Sequence, residues 1–338
     1  MDRRSFLRNT SLTTIAIATH PKSQAISPIN LNKEKFSKIR IGICADLHQD
    51  IMHDSPKRIE AFINDMQVEQ PDLIIQMGDF CRPVESNRII LDIWNRFQGP
   101  RYHVIGNHDV DGGFDRDQVV SFWKSVGKYY SFDLNGYHFV VLDGNEPNPY
   151  KKGGGYPRFI TNEQLHWLET DLDKTSLPTL VFCHQGLDND IAGIENATKC
   201  RLVLERANKE MRKVQLVFSG HHHQDYHNEI NGIHYVQINS MSYYWIGENH
   251  PMIRYSKEID KEHPEIKYTV PYKDPLWGVI DINKDGKFRL KGRKSAFVGP
   301  SPEEMGVKAI DDMGYEASSF ISDREIQLTL KKLEYANP

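Results

Sequence analysis

The chain has 338 residues, 39% hydrophobic and 26% charged, an ordinary globular composition with room for one large α/β domain or two. A formal net charge of −4 argues against a broad nucleic-acid-binding surface. No apolar run reaches the length of a membrane span, and no repeat of solenoid period is visible.

In chain order, Asp2-Arg3-Arg4-Ser5-Phe6-Leu7-Arg8 comes first, followed by a short apolar stretch at 15–18 and small-x-Ala sites at 16–18 and 23–25. This is the layout of a twin-arginine export signal. Residues 1–25 are therefore expected to be a signal peptide and the mature protein periplasmic or secreted, with 26–37 a polar linker. Apolar runs at 39–45, 73–77, 102–105, 180–183 and 214–219 have strand character. Residues 56–69 carry Ile59, Phe62, Ile63 and Met66 at helical spacing, with Pro56 in the first turn. Residues 86–97 repeat the pattern through Ile89, Ile90, Ile93 and Trp94. Such alternation predicts a largely parallel sheet. Three hairpins are expected: 130–143 around Asn135-Gly136, 226–238 around Asn231-Gly232, and 278–290 around Lys284-Asp285-Gly286. Thr161-Asn162-Glu163-Gln164 predicts a capping box opening a helix with the stripe Leu165, Leu168 and Leu172, and 197–212 predicts another helix.

Two segments lack clear periodicity. Residues 241–275 carry Tyr243, Tyr244 and Trp245 and read as a loop, either a substrate-binding one or one packed on the core. The extension 293–338 begins with loop character, and a helix is expected at 322–333, covering a sheet edge or a subunit contact. Cys44, Cys81 and Cys183 read as small buried apolar residues. His53, Arg82, Asp111 and Asn145 fall in loops near the motif ends and read as solvated positions ahead of contacts to the substrate phosphate or leaving group.

Five short segments each follow a strand-like run: Asp46-Leu47-His48, Gly78-Asp79, Gly106-Asn107-His108-Asp109, His184, and Gly220-His221-His222-His223. In an open α/β sheet, ligands bind at the carboxyl ends of the strands. A mixed set of Asp, Asn and His there suits borderline metals such as Mn, Fe or Zn. Any one segment alone is an ordinary turn sequence. All five together, in this order, describe a site.

The set D-x-H, G-D, G-N-H-D, H and G-H-x-H resembles the calcineurin-like metallophosphoesterase superfamily over about residues 38–292. The resemblance implies an α/β fold, a two-sheet β-sandwich flanked by helices in four α/β/β/α layers, with a binuclear metal centre. By position, Asp46, His48, Asp79 and His223 would hold one ion. Asp79, Asn107, His184 and His221 would hold the other, with Asp79 bridging. A carboxylate has two oxygens to share between two cations, and such a pair stabilises both oxygens of an in-line displacement. His108 would be the acid beside the substrate, with Asp109 holding its ring, and His222 is not carried over. Purple acid phosphatases place a tyrosine ligand where this chain has Arg82 and a glycine where it has His48. The pattern is nearer the bacterial cyclic-nucleotide-phosphodiesterase-like and exonuclease-like branches. The expectation is an exported phosphoesterase with two divalent or trivalent metal ions and a small-molecule phosphate ester as substrate, a diester ahead of a monoester. A phosphomonoesterase and a non-enzymatic metal-binding scaffold are the alternatives, and the sequence says nothing of oligomeric state.

Overall fold

The computed structural model describes residues 36–151, 155–189, 191–307 and 315–329. The expected signal peptide and most of the expected linker lie outside the described residues. The elements run β1 (Ile39–Cys44), α1 (Ser55–Glu69), β2 (Leu73–Gln76), α2 (Arg88–Trp94), β3 (Arg101–His103), α3 (Arg116–Trp123), β4 (Tyr130–Leu134), β5 (Tyr137–Leu142), α4 (Asn162–Asp173), β6 (Thr179–Cys183) and α5 (Ala197–Ala207). They continue with β7 (Val214–Ser219), β8 (His227–Ile230), β9 (Ile233–Gln237), β10 (Tyr243–Trp245), α6 (Lys257–Glu262), β11 (Thr269–Pro271), β12 (Gly278–Ile282), β13 (Lys287–Lys291) and β14 (Arg324–Gln327).

Among the described residues, two six-stranded sheets result, ordered β14-β13-β12-β1-β2-β3 and β4-β5-β6-β7-β9-β8, with β10 and β11 as a separate ribbon. The central pairs β1–β2, β2–β3, β5–β6, β6–β7 and β7–β9 are parallel, and the three expected hairpins supply antiparallel pairs. Side-chain alternation sorts each strand between two cores. On β5, Phe139 and Val141 enter the core between the sheets, while Val140 and Leu142 face the layer of α4 and α5. On β1, Ile39, Ile41 and Ile43 face inward and Cys44 meets the layer of α1 and α2. The four layers are thus helices, sheet, sheet, helices. All four cysteines are buried and free, and no helix among the described residues is long and apolar enough to cross a membrane.

Several expectations differ locally. Phe36, assigned to the linker, is buried in the inter-sheet core with its ring 6.3 Å from that of Tyr137. Within the helix expected at 322–333, residues 324–327 are instead the strand β14, antiparallel to β13, and 330–333 lie outside the described residues. Ile326 and Leu328, two residues apart, both pack on the inter-sheet core. A short apolar pattern cannot by itself choose between helix and strand, and the open hydrogen-bonding edge of β13 decides. The domain therefore runs past residue 292. Helix α5 ends five residues before the expected 212, because the Asn208 amide bonds both Val214 N and Val214 O and turns the chain into β7. At α4 the Thr161 side chain caps Gln164 N, but the Gln164 amide bonds Asp143 rather than the cap. The full capping box belongs to Asp115 and Gln118 of α3. Residues 241–275 are an ordered lobe of β10, β11 and α6.

Candidate metal centre

The candidate ligands sit beyond β1, β2, β3, β6 and β7, at one edge of the sandwich. The chain turns there without relaxing: Asp46, His48, Asp79, His221 and His223 all have positive φ, between 51° and 75°. A left-handed non-glycine residue costs about 1–2 kcal/mol, so five together need support. Backbone hydrogen bonds between neighbouring strand ends provide it: Asp46 N to Gly78 O, His48 N to Asp79 O, and Gly220 N to His184 O. The hydroxyls of Ser240 and Ser242, from after β9, donate to the carbonyls of Asp46 and Leu47. Gly78 has φ +102°, and a Cβ there would lie 2.5 Å from His184 Nδ1. Gly106 and Gly220 have no positive φ; their lack of a side chain makes room for Asp79 and Asp46 respectively.

The expected ligands converge. Asp79 Oδ2 lies 3.5 Å from His48 Nε2 and 3.1 Å from His184 Nε2, between the two halves of the cluster. Asp46 Oδ1 is 3.3 Å from His223 Nε2, which is 3.1 Å from His48 Nε2. Asp46, His48 and His223 form one three-residue group that could hold a cation; Asp79, His184 and His221 form another. Tautomers are set from behind. His184 Nδ1 donates to the carbonyl of Met77 (2.7 Å) and His223 Nδ1 to that of Tyr243 (2.9 Å), so each presents its Nε2 lone pair to the centre. Two inward atoms, Asn107 Oδ1 and His184 Nε2, are buried without a hydrogen-bond partner. Leaving such an atom unsatisfied costs about 1–3 kcal/mol, and a cation is the partner that satisfies a lone pair with no donor in reach. Burial and the neighbouring histidines hold His221 well below the ordinary histidine pKa, keeping it neutral. His184 is also buried, but the charge of Asp79 raises it to about 9, so a proton competes with metal for that ring. The donor set fits two divalent cations sharing Asp79.

His108 stands beside this cluster. Its side chain is 20% exposed, and its backbone N–H donates to Asp79 Oδ1 at 2.8 Å. The ring is not held by Asp109, as the sequence led one to expect. Asp109 is buried and accepts hydrogen bonds from the backbone N–H groups of Asp79, Phe80 and Gly106. Residues 108–110 form a 3₁₀ turn, which points consecutive side chains about 120° apart. Asp50 holds the ring instead: its Oδ2 is 2.8 Å from His108 Nδ1, and its Oδ1 is 3.3 Å from His48 Nδ1. Burial works against ionisation of Asp50, but the hydrogen bonds from His108 and His48 keep it below the usual carboxylate range. Asp111, read from the sequence as a solvated position, lies 3.1 Å from the same His108 nitrogen. Sequence reasoning passed over Asp50, Ser240 and Ser242. Asp50 lies four residues after Asp46 and so shares its loop, the one available signal. His222 is turned from the cluster, with Nε2 on the carbonyl of Ile191.

A cavity of about 900 Å³ opens on the cluster. His108 and Tyr156 line one side, and the lobe lines the other with Trp245, Tyr268, Glu265 and Lys267.

Residues 39–225 match the family model of the calcineurin-like phosphoesterases. The chain belongs to this family and is a metal-dependent phosphoric ester hydrolase. A 3′,5′-cyclic-nucleotide phosphodiesterase of Nostoc is 23% identical over 215 residues, 61% of this chain and 74% of that protein. A "probable cyclic nucleotide phosphodiesterase" of Synechococcus is 27% identical over 177 residues, 49% of this chain and 64% of that protein. Among solved structures, a dimetal phosphatase from Danio rerio aligns with a TM-score of 0.56 at 15% identity, covering 78% of this chain and 99% of that one, and so shares the fold.

Proposed function

We propose that the protein is an exported phosphodiesterase that hydrolyses a small-molecule phosphate diester, with His108 as general acid and Mn, Fe or Zn in the binuclear centre. One observation carries the choice of diester: beyond the cluster, the charged side chains lining the cavity among the described residues are Glu248, Glu265 and Lys267, set among aromatic rings. A monoester dianion calls for extra cations around its oxygens. A diester carries one charge fewer and a second organic group, which aromatic walls can bury. The two similar proteins carry the names of a cyclic-nucleotide phosphodiesterase and a probable one, and a phosphodiesterase reading agrees with those names.

When bound, two divalent cations supply an activated water and stabilise the charge on the attacking and leaving oxygens. The remaining work falls to the chain. Asp79 and Asp46 set the spacing of the two ligand groups. Asp50 fixes the His108 ring through Nδ1, which leaves Nε2 to deliver a proton to the departing alkoxide. The aromatic side chains of the cavity wall can pack against the organic group of the ester.

The test is a comparison of bis(p-nitrophenyl) phosphate, p-nitrophenyl phosphate and cyclic nucleotides, with Mn, Zn, Fe and Mg supplied separately. Higher kcat/KM on diesters is expected. A preference for the monoester would make the protein a phosphomonoesterase. Two bound metals per chain with no turnover of any ester would point to a scaffold. Export rests on Arg3-Arg4 and the apolar stretch that follows. Replacing both arginines with lysine should leave precursor in the cytoplasm, and unchanged delivery to the periplasm would overturn that part of the reading.

A further inference from the structure

His108 Nδ1 faces two carboxylates brought by different loops. Asp50 Oδ2 is 2.8 Å away and Asp111 Oδ2 is 3.1 Å away. Asp50 is tied to the candidate ligand His48. Asp111 is tied elsewhere: the Tyr156 hydroxyl donates to Asp111 Oδ2 at 3.0 Å. Tyr156 comes from the segment between β5 and α4, far along the chain from the loop after β3 that carries Asp111. Its ring lies 5.2 Å from the His108 ring, tilted by 35°, and both side chains line the cavity.

We propose that Asp111 and Tyr156 are positioning residues for His108, so that the chain Tyr156–Asp111–His108 aims the acid from the leaving-group side of the cavity. The proposal rests on the reading of His108 as general acid. An imidazole held at Nδ1 by one carboxylate can still pivot about that contact. A second carboxylate on the same nitrogen, approaching from another loop, removes the pivot and directs Nε2. Asp111 is itself part-exposed, so it needs a partner to keep its orientation. Tyr156 is that partner, and burial raises the phenol pKa, so the hydroxyl stays protonated and donates to the carboxylate. Tyr156 also forms the cavity wall next to the acid. A substrate group seated against its ring therefore contacts the residue that orients the proton donor, which makes Tyr156 the position where the shape of the leaving group is sensed. Tyr156 is 42% exposed, and its replacement by phenylalanine keeps the ring and removes only the hydroxyl.

The test uses a series of methyl aryl phosphate diesters whose phenols range from good to poor leaving groups, or the matching aryl monoesters if the wild type prefers those. Tyr156→Phe and Asp111→Asn are each expected to steepen the dependence of kcat on leaving-group pKa. The poorest phenol should lose about tenfold relative to p-nitrophenol, the scale of one lost orienting hydrogen bond. Metal content and Tm are measured alongside. Equal loss across the series, or no loss, overturns the proposal, because a merely structural role has no reason to follow the leaving group. His108→Ala separates the two assignments. If it steepens the series and the other two variants do not, the acid stands and the positioning role falls. If it leaves the slope unchanged, the acid assignment fails and the proposal with it.

Discussion

Asp109 shows how a motif residue can be present and do different work. Its carboxylate collects three backbone N–H groups, from Asp79, Phe80 and Gly106, and so pins together the two loops that carry Asp79 and Asn107. Each donor left unsatisfied and buried costs about 1–3 kcal/mol. Asp109→Ala should therefore lower stability by about 3 kcal/mol or more and reduce metal occupancy, read from a thermal melt and metal analysis. A fall in activity at unchanged Tm would instead return Asp109 to a role through His108. A second prediction concerns His138, remote from the metal centre. Its Nδ1 lies 2.7 Å from Asp133 and its Nε2 2.8 Å from Asp171, so only the doubly protonated ring satisfies both carboxylates. Burial opposes that charge, but the two hydrogen bonds outweigh it and raise the pKa. A raised folded-state pKa means the contribution to stability is full below the unfolded histidine value of about 6.5 and is lost as pH rises through the folded-state value. The Tm gap between wild type and His138→Gln should thus be wide near about pH 5.5 and narrow near about pH 9.5. A gap independent of pH would mean that the ring acts by packing alone.

At the scale of elements, the lobe of β10, β11 and α6 is built from the segment that lacked periodicity. Its aromatic residues serve two tasks. Tyr244 is 2% exposed and packs in the inter-sheet core, and like the half-buried Trp245 it also lines the cavity. One ribbon thus both anchors itself in the core and presents a wall to the cavity. Tyr244→Ala is expected to cost about 3–5 kcal/mol of stability. Trp245→Ala should raise KM for a bulky diester several-fold while changing kcat less, the pattern of lost uniform binding. Equal KM for bulky and small esters would place Trp245 outside substrate recognition. The strand β14 makes the same point from the other end of the chain. Arg-Glu-Ile-Gln specifies little alone, and the unpaired edge of β13 sets its conformation.

On the scale of the whole molecule, the candidate metal centre lies between the two sheets. Asp46, His48, Asp79 and Asn107 follow strands of the first sheet, and His184, His221 and His223 follow strands of the second. Ligands shared across the interface make metal binding a contribution to stability, about 4 kcal/mol at a thousandfold excess over Kd. Removing metal with a chelator should lower Tm markedly, and Mn or Zn should restore it. An unchanged melt would mean that the sheets hold together without the centre. The sequence by itself determined the strand-helix alternation, the three hairpins and the five segments that converge at one edge of the sheets, while the two-sheet sandwich was what the resemblance carried by those segments implied. Those features repeat along the chain or end a strand, and a strand end fixes where the next side chain goes. Only the tertiary structure decided the roles of Asp50, Asp109, Asp111 and Tyr156, the different burial of Tyr244 and Trp245, and the strand at 324–327. Each depends on which face a side chain takes or which edge lies open nearby, and that is settled by partners distant in sequence rather than by local spacing.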